Sequence, residues 1–167
     1  SYSVFAYSDP VVRMLLQAWK YHGDVSAWEH IQHLFTRGDV AIPEVFQDVD
    51  FVSFVPLSKQ KYAERGFNQA EDIAKYIAAQ IKKEVIPTLQ RRHVRKAQAE
   101  KEKQARIDVV DIQPFFVSSP VIIEAKTIFL VDDVWTTGST AEACANMLKD
   151  NGALRVIVFA LAHGSAS

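Results

Sequence analysis

The sequence lacks three features: a second cysteine, an excess of charge of either sign, and a long apolar run. Its one cysteine, Cys144, cannot form an internal disulfide or a multi-cysteine zinc site within these 167 residues. Lys and Arg number 19 against 20 Asp and Glu, so no overall positive field attracts nucleic acid, and such binding would need a local patch. No apolar run approaches the roughly 20 residues of a membrane-spanning helix, and the first residues do not resemble a signal peptide. We therefore expect a cytoplasmic protein without membrane insertion.

What is present fits one globular domain. Hydrophobic residues make up 49% of the chain and charged residues 23%. Continuously apolar, strand-sized runs at 51–55, 127–131 and 156–161 alternate with segments of helical periodicity. This alternation predicts an α/β fold with a mostly parallel central sheet flanked by helices. We expect a single domain over 1–167, with a helical cap or hood in 1–45 and the core in 50–163.

Local patterns predict several further elements. Asp9 before Pro10 indicates the start of a helix that ends near Gly23. The apolar spacing over 64–82 predicts one long helix. A short strand is expected at 85–89, and a hairpin is expected from 115–117 and 121–123 around a Ser-Ser-Pro turn. Residues 139–150 predict a helix with Cys144 on its inward face.

The strongest chemical signal follows the apolar run that ends at Val131. Two acids, Asp132 and Asp133, come directly after it, and a helix start rich in hydroxyls follows them. In an open parallel sheet, ligands bind at the carboxyl ends of the strands. Amides and hydroxyls at a helix start suit a phosphate, and carboxylates suit the hydroxyls of a ribose. The residues that we expect to contact such a ligand after the acids are Val134, Thr136, Thr137, Gly138, Ser139 and Thr140.

The sequence lacks the glycine patterns of two other common phosphate-binding loops. The sequence contains neither G-x-x-x-x-G-K-[ST] nor G-x-G-x-x-G, so neither a P-loop nor a dinucleotide fingerprint is present. Trp135 lies inside the ligand loop, where its indole either covers the ribose or wedges the turn.

Residues 128–140 resemble the signature for 5-phosphoribosyl-1-pyrophosphate (PRPP) in type I phosphoribosyltransferases. Four apolar residues, two acids, a short spacer and Thr-Gly-x-Thr match over all thirteen positions. A second match narrows the family to the ComF-type group associated with bacterial DNA uptake. It comprises Val55-Pro56-Leu57-Ser58, the run Arg65-Gly66-Phe67-Asn68-Gln69-Ala70, the lead-in Lys20-Tyr21-His22-Gly23-Asp24, and the spaced set Arg92, Gln98 and Arg106.

The resemblance implies a reaction in which a nucleophile displaces pyrophosphate from the anomeric carbon of PRPP, the chemistry of a glycosyltransferase. Asp132 and Asp133 would hold the ribose diol and Mg²⁺, and residues 136–140 would hold the 5-phosphate. The loop Pro56, Leu57, Ser58 and Lys59, together with Arg65, would face the pyrophosphate. Residues 90–106 fall where the fold carries a mobile flap, so Arg92 and its basic neighbours would close over that group.

Two departures from the family pattern stand out. Family members usually carry a cysteine-rich zinc segment before the first helix, and nothing here can serve, so we expect no zinc in this chain. Either the chain is trimmed or its subgroup lost the metal. The family also tends to place an asparagine shortly after the final arginine, and this chain has Ile107-Asp108 there, so no role is assigned to that position. Little sequence follows the last strand, so a hood over the ligand would have to come from the two N-terminal helices.

Two functions stay open from the sequence. The first is a phosphoribosyltransferase acting on an unidentified nucleophile with PRPP and Mg²⁺. The second is a non-catalytic module that binds PRPP, a ribose-5-phosphate-like ligand or a nucleotide, and that contacts single-stranded DNA or the competence machinery through the basic segment 90–106. The resemblance leaves a homodimer open in both cases.

Overall fold

A central sheet of four parallel strands organises the chain. The computed structural model describes residues 2–36, 46–91 and 114–164. The sheet consists of β1 (Tyr2–Ala6), β2 (Phe51–Phe54), β5 (Thr127–Trp135) and β6 (Arg155–His163) in the order β1-β6-β5-β2. A separate antiparallel pair is formed by β3 (Leu89–Arg91) and β4 (Phe115–Val117). The prediction of a mostly parallel sheet flanked by helices is confirmed.

Six helices accompany the strands in the described residues. They are α1 (Pro10–His22), α2 (Val25–Thr36), α3 (Lys59–Arg65), α4 (Gln69–Ile81), α5 (Pro120–Ile123) and α6 (Ser139–Asp150). The expected start of α1 is confirmed: Asp9 caps it by accepting from the amides of Val11 and Val12, and Gly23 ends it at φ 61°. None of the described helices is long and apolar enough to span a bilayer.

Alternation along β5 divides the core into two halves. Phe129 and Val131 pack with α1, α2 and α4 on one face of the sheet. Ile128 and Leu130 pack with α6 and the β3–β4 pair on the other face. All four side chains are fully buried, as expected for a parallel strand that is covered on both faces. The same period of two continues past Val131, where it sets the positions of the acids.

The prediction of one helix over 64–82 is wrong. The structure has two helices there, α3 and α4. Gly66 ends α3 in the left-handed region at φ 80°, and its amide donates to the carbonyl of Tyr62. Asn68 then caps α4 by accepting from the amide of Ala70 at 3.1 Å. The apolar spacing continued across the break, but the backbone turns at Gly66.

The predicted hairpin around Ser-Ser-Pro is also wrong. Residues Pro120–Ile123 form the short helix α5, which has proline in its first turn. The strand β4 pairs instead with β3, with Phe115 opposite Arg91. Of the strand expected at 85–89, Val85 makes a single parallel bridge to Val52, and regular pairing begins only at Leu89.

The N-terminal segment differs from the expected helical cap. Residues Tyr2–Ala6 form an edge strand of the central sheet, parallel to β6. Only α1 and α2 form the helical part that was expected over 1–45, and residues 37–45 lie outside the described part of the chain.

Candidate functional site

The two acids lie at the carboxyl end of β5 and point to opposite faces of the sheet. Successive strand residues alternate between faces, so Asp132 continues the row of Ile128 and Leu130, and Asp133 continues the row of Phe129 and Val131. Asp132 therefore lies near α6, and Asp133 lies near α1. The contacts of each acid agree with this assignment.

Asp132 occupies a poorly hydrated position. Its Oδ1 accepts a hydrogen bond from the amide of Asp133 at 2.8 Å. Burial first, and the neighbouring carboxylate of Asp133 second, raise the pKa of Asp132 from 3.8 to about 7. On the α6 side, Cys144 is fully buried, as predicted. Burial and the Asp132 carboxylate raise the pKa of the Cys144 thiol, so it is neutral and inert at neutral pH.

Asp133 has a charged partner from the other end of the sequence. Its Oδ2 accepts from Nζ of Lys20 in the last turn of α1 at 2.6 Å, and its Oδ1 accepts from the amide of Val134 at 2.8 Å. The exposed fractions are 25% for the Lys20 side chain and 18% for that of Asp133, so both lie largely below the surface. This ion pair joins the N-terminal helix to the end of β5.

The turn between β5 and α6 has the features expected of an anion site. Gly138 precedes the helix with φ 79°, a backbone region that favours glycine. The indole of Trp135 packs against it so closely that an added Cβ would lie 2.4 Å from the ring. The hydroxyls of Thr137 and Ser139 are exposed and lie 2.9 Å apart. The amide-bearing helix start thus faces solvent, and Trp135 wedges the turn.

A second loop approaches from the end of β2. Pro56 and Leu57 lie beside the turn at the end of β5, and Asn68 holds this loop by donating from Nδ2 to the carbonyl of Val55 at 3.1 Å. Ser58 caps α3 by accepting from the amide of Lys61 at 3.2 Å. Neither Ser58 nor Lys59 is among the described residues that line the cavity.

The two loops and α1 line a cavity of about 320 Å³ that is open to solvent. The predicted site residues that line it are Pro56, Leu57, Arg65, Asp132, Asp133, Val134, Thr136, Thr137, Gly138, Ser139 and Thr140. Arg92, the remaining prediction, lies outside the described residues. The structure therefore brings most of the predicted positions to one place.

The cavity also has lining residues beyond those predicted site residues, although Trp135 and the basic segment that contains Arg91 were already considered from the sequence. These are Tyr7, Lys20, Lys61, Asn68, Ala70, Arg91, Trp135 and Ala141, together with Val55. Lys20, Val55, Asn68 and Ala70 were quoted for the family resemblance, and that was the only available signal for Lys20. Tyr7 and Lys61 sit in no recognisable pattern.

In the described part of the chain, four cations line the cavity together with the acids: Lys20, Lys61, Arg65 and Arg91. Arg65 is held from two sides, since its guanidinium lies 5.5 Å from the ring centre of Tyr21 and donates to Oε1 of Gln69 at 3.3 Å. Against two acids, one of which has a pKa of about 7, four cations make the cavity net positive. Such a field favours a polyanionic ligand.

The described side chains could hold Mg²⁺ only through a few carboxylates, with other ligands completing its coordination. Among the described residues, no three His, Cys, Asp or Glu side chains cluster as a metal cage would require. Asp132 and Asp133 alone offer two carboxylates. Mg²⁺ commonly binds through one or two carboxylates, with waters and phosphate oxygens completing its octahedron. The site therefore fits a magnesium ion that arrives with a phosphorylated ligand.

Comparison with known proteins identifies the family. The model of the phosphoribosyl transferase domain matches residues 63–167, which include α4, α6, the two acids and the turn after them. The chain belongs to the phosphoribosyltransferase family. The resemblance that residues 128–140 indicated is thus confirmed.

Curated relatives of this phosphoribosyltransferase-family chain include two competence proteins named ComFC. The protein from Streptococcus pneumoniae is 37% identical over 116 residues, which is 70% of this chain and 49% of the relative. The protein from Bacillus subtilis is 30% identical over 151 residues, which is 90% of this chain and 58% of the relative. The similarity to the ComF-type group is thereby confirmed, and the chain spans about half the length of the curated relatives it matches.

Two solved structures overlap with the fold at low identity. A glutamine PRPP amidotransferase from B. subtilis overlaps with 90% of this chain and 25% of its own, at 18% identity and a TM-score of 0.45. A hypoxanthine phosphoribosyltransferase from Staphylococcus aureus overlaps with 90% of this chain and 64% of its own, at 11% identity and a TM-score of 0.42. The family assignment rests on the domain match.

Proposed function

We propose that this chain binds PRPP together with Mg²⁺ in the cavity at the end of β5, and that it transfers the phosphoribosyl group to a nucleophile. One observation carries the proposal. Two adjacent acids and a hydroxyl-rich helix start share a net positive cavity with a second loop from β2. A sugar diol, a phosphate and a diphosphate in one molecule match these three elements.

Each part of PRPP has a counterpart in the cavity. The 5-phosphate accepts hydrogen bonds from the amides and hydroxyls of residues 136–140 at the start of α6. The ribose hydroxyls donate to Asp132 and Asp133. The diphosphate lies toward Pro56 and Leu57, where Lys61 and Arg65 supply positive charge. Ser58, which caps α3, holds the backbone of this loop in position.

Asp132 and Asp133 would hold Mg²⁺, which neutralises negative charge on the leaving diphosphate when it is bound. In the transfer step the bond between C1 and the diphosphate oxygen breaks, and that oxygen keeps the electron pair. The lone pair of the nucleophile forms the new bond to C1, and its proton passes to solvent or to a base. The residues of the cavity contribute position and charge, which are the main sources of rate in such a displacement.

Arg91, the last described residue before the basic segment, pairs with Phe115 across β3 and β4. The guanidinium of Arg91 lies 5.4 Å from the ring centre of Phe115 and lines the cavity. We propose that Arg92 and the basic residues that follow it act on the diphosphate. Replacing Arg92 with Ala should then weaken PRPP binding without changing the affinity for ribose 5-phosphate.

The second candidate function is ligand binding without turnover, in the service of DNA uptake. It is favoured by the name of the relatives, competence protein ComFC, and by the basic residues of 90–106. Under this proposal the segment contacts single-stranded DNA, and binding falls steeply with salt. A single-stranded DNA affinity without salt dependence, or one unaffected by neutralising Arg91, Arg92, Arg95 and Lys96, would reject it.

Release of pyrophosphate separates the two functions. Wild-type protein with PRPP and Mg²⁺ is incubated with a panel of nitrogen nucleophiles, and pyrophosphate is measured against the Asp132→Asn/Asp133→Asn variant. Release that needs both a nucleophile and the acids supports the transferase. Tight binding of PRPP without release for any member of the panel supports the binding module.

A further inference from the structure

Three successive residues in the last turn of α1, Trp19, Lys20 and Tyr21, contact three different parts of the structure. Trp19 is buried, stacks on Trp28 at 4.5 Å and packs beside Phe67. Lys20 reaches Asp133, and Tyr21 covers the guanidinium of Arg65. Because successive helical residues differ by about 100° in direction, a helix anchored by Trp19 holds Lys20 over the cavity. The position of Lys20 is therefore set by the core.

Lys20 lies outside the segment that matches the family domain, which begins at residue 63. Its ammonium nevertheless contacts one of the two acids of the signature, 113 residues away in sequence. A lysine in the last turn of a helix also interacts favourably with the negative end of the helix dipole, which helps to keep it there. The contact adds a residue to the site that the family domain does not supply.

The pair conflicts with the ligand that the site is built for. Asp133 Oδ2 accepts from Lys20. Under the proposed function, the carboxylate of Asp133 would instead bind a ribose hydroxyl or a divalent cation. A cation that arrives with PRPP offers Asp133 a stronger partner, and the diphosphate offers Lys20 phosphate oxygens. Both charges then stay paired while their partners change. The cavity borders Lys20 and Asp133 alike, so the exchange needs only a change of rotamer in the lysine.

We propose that Lys20 is an exchangeable counter-ion of Asp133: it neutralises the acid in the ligand-free protein, and it moves to the diphosphate oxygens when PRPP binds with its metal. The second half of this inference rests on the proposed function. It follows that Lys20 opposes binding of a bare divalent cation and favours binding of PRPP. A residue with a purely structural role would not affect the two ligands in opposite directions.

The test replaces Lys20 with Met, which keeps the packing of the side-chain stem and removes the charge. Binding of Mn²⁺ alone is followed by electron paramagnetic resonance, and binding of PRPP in Mg²⁺ buffer by calorimetry. We expect the affinity for Mn²⁺ to rise severalfold and that for PRPP to fall about tenfold or more, as for loss of a charged hydrogen bond. Lys20→Arg, which retains the charge, should restore much of the PRPP affinity and keep Mn²⁺ binding weak.

Lys126 provides a matched control. Its Nζ lies 3.0 Å from Oδ1 of Asp50, and neither residue lines the cavity. Lys126→Met should change neither affinity. Unchanged Mn²⁺ binding in Lys20→Met would overturn the counter-ion role, and unchanged PRPP binding would overturn the transfer to the diphosphate. A wild type that binds no PRPP defeats the proposed function, and the Mn²⁺ measurement alone then decides whether Lys20 competes for Asp133.

Discussion

Replacing Asp132 with Asn should stabilise the ligand-free protein while removing its ligand site. Burial and the neighbouring Asp133 raise the pKa of Asp132 to about 7, so ionisation of this side chain is unfavourable in the folded state. Asn has the same shape and keeps an oxygen that can accept from the amide of Asp133. The variant therefore loses the buried charge and retains the local hydrogen bond.

The sign of the effect follows from proton linkage. Between pH 3.8 and about 7 the folded protein keeps a proton that the unfolded chain releases, so stability falls as pH rises through this window. Above pH 7, this shift in the pKa of Asp132 lowers the free energy of unfolding by at most about 4 kcal/mol, because one pKa unit corresponds to about 1.4 kcal/mol. The pKa of about 7 already includes the attraction of Lys20, and relaxation around the buried carboxylate reduces the cost below this limit. We expect Asp132→Asn to recover about 2 kcal/mol at pH 8 and less than half of that at pH 5.

Thermal unfolding at the two pH values measures this directly. For a chain of this length, about 2 kcal/mol raises Tm by about 4–8 °C. The control is Asp133→Asn, which leaves Lys20 without its partner and should lower stability by about 1 kcal/mol at pH 5. The loss should be smaller at pH 8, because removal of the neighbouring charge also eases ionisation of Asp132. The reasoning is refuted if Asp132→Asn is no more stable than wild type at pH 8, or if its gain does not grow between pH 5 and pH 8.

Two further predictions concern the backbone around the cavity. Gly138→Ala should cost about 2–4 kcal/mol in denaturant unfolding and weaken PRPP binding, because the new Cβ combines a φ of 79° with a clash against Trp135. Gly66→Ala, at φ 80° with nothing within 4 Å, should cost only about 1 kcal/mol, so equal costs would contradict the role of the indole. Asn68→Ala should cost about 1–2 kcal/mol and raise the Kd for PRPP, since it removes both the α4 cap and the bond to Val55. An unchanged Kd in that variant would mean that the loop is held in position by other contacts.

The acids and the turn after them were predictable because their signal is local. A buried strand, two acids and a hydroxyl-rich helix start occupy adjacent positions in sequence. The alternation of β5 even predicts, once the two faces are known, which acid meets α1 and which meets α6. Neither inference needs a contact between distant segments.

The features that could not be predicted from the sequence depend on contacts between distant segments or on the backbone conformation at a single residue. The strand β1 is defined by its pairing with β6, more than 150 residues later, and its own five residues carry no strong pattern. Lys20 became a site residue only when α1 was placed against β5. Gly66 interrupts an otherwise continuous apolar face, and Pro120 starts a helix where a turn was expected.

The most direct test of the central claim is calorimetric titration of PRPP, with and without Mg²⁺, into wild type and Asp132→Asn/Asp133→Asn. We expect wild type to bind PRPP only when Mg²⁺ is present and the double variant not to bind it. Separate unfolding measurements establish that the double variant is folded. Binding that is independent of Mg²⁺, binding that survives in the double variant, or no binding to wild type would contradict the account.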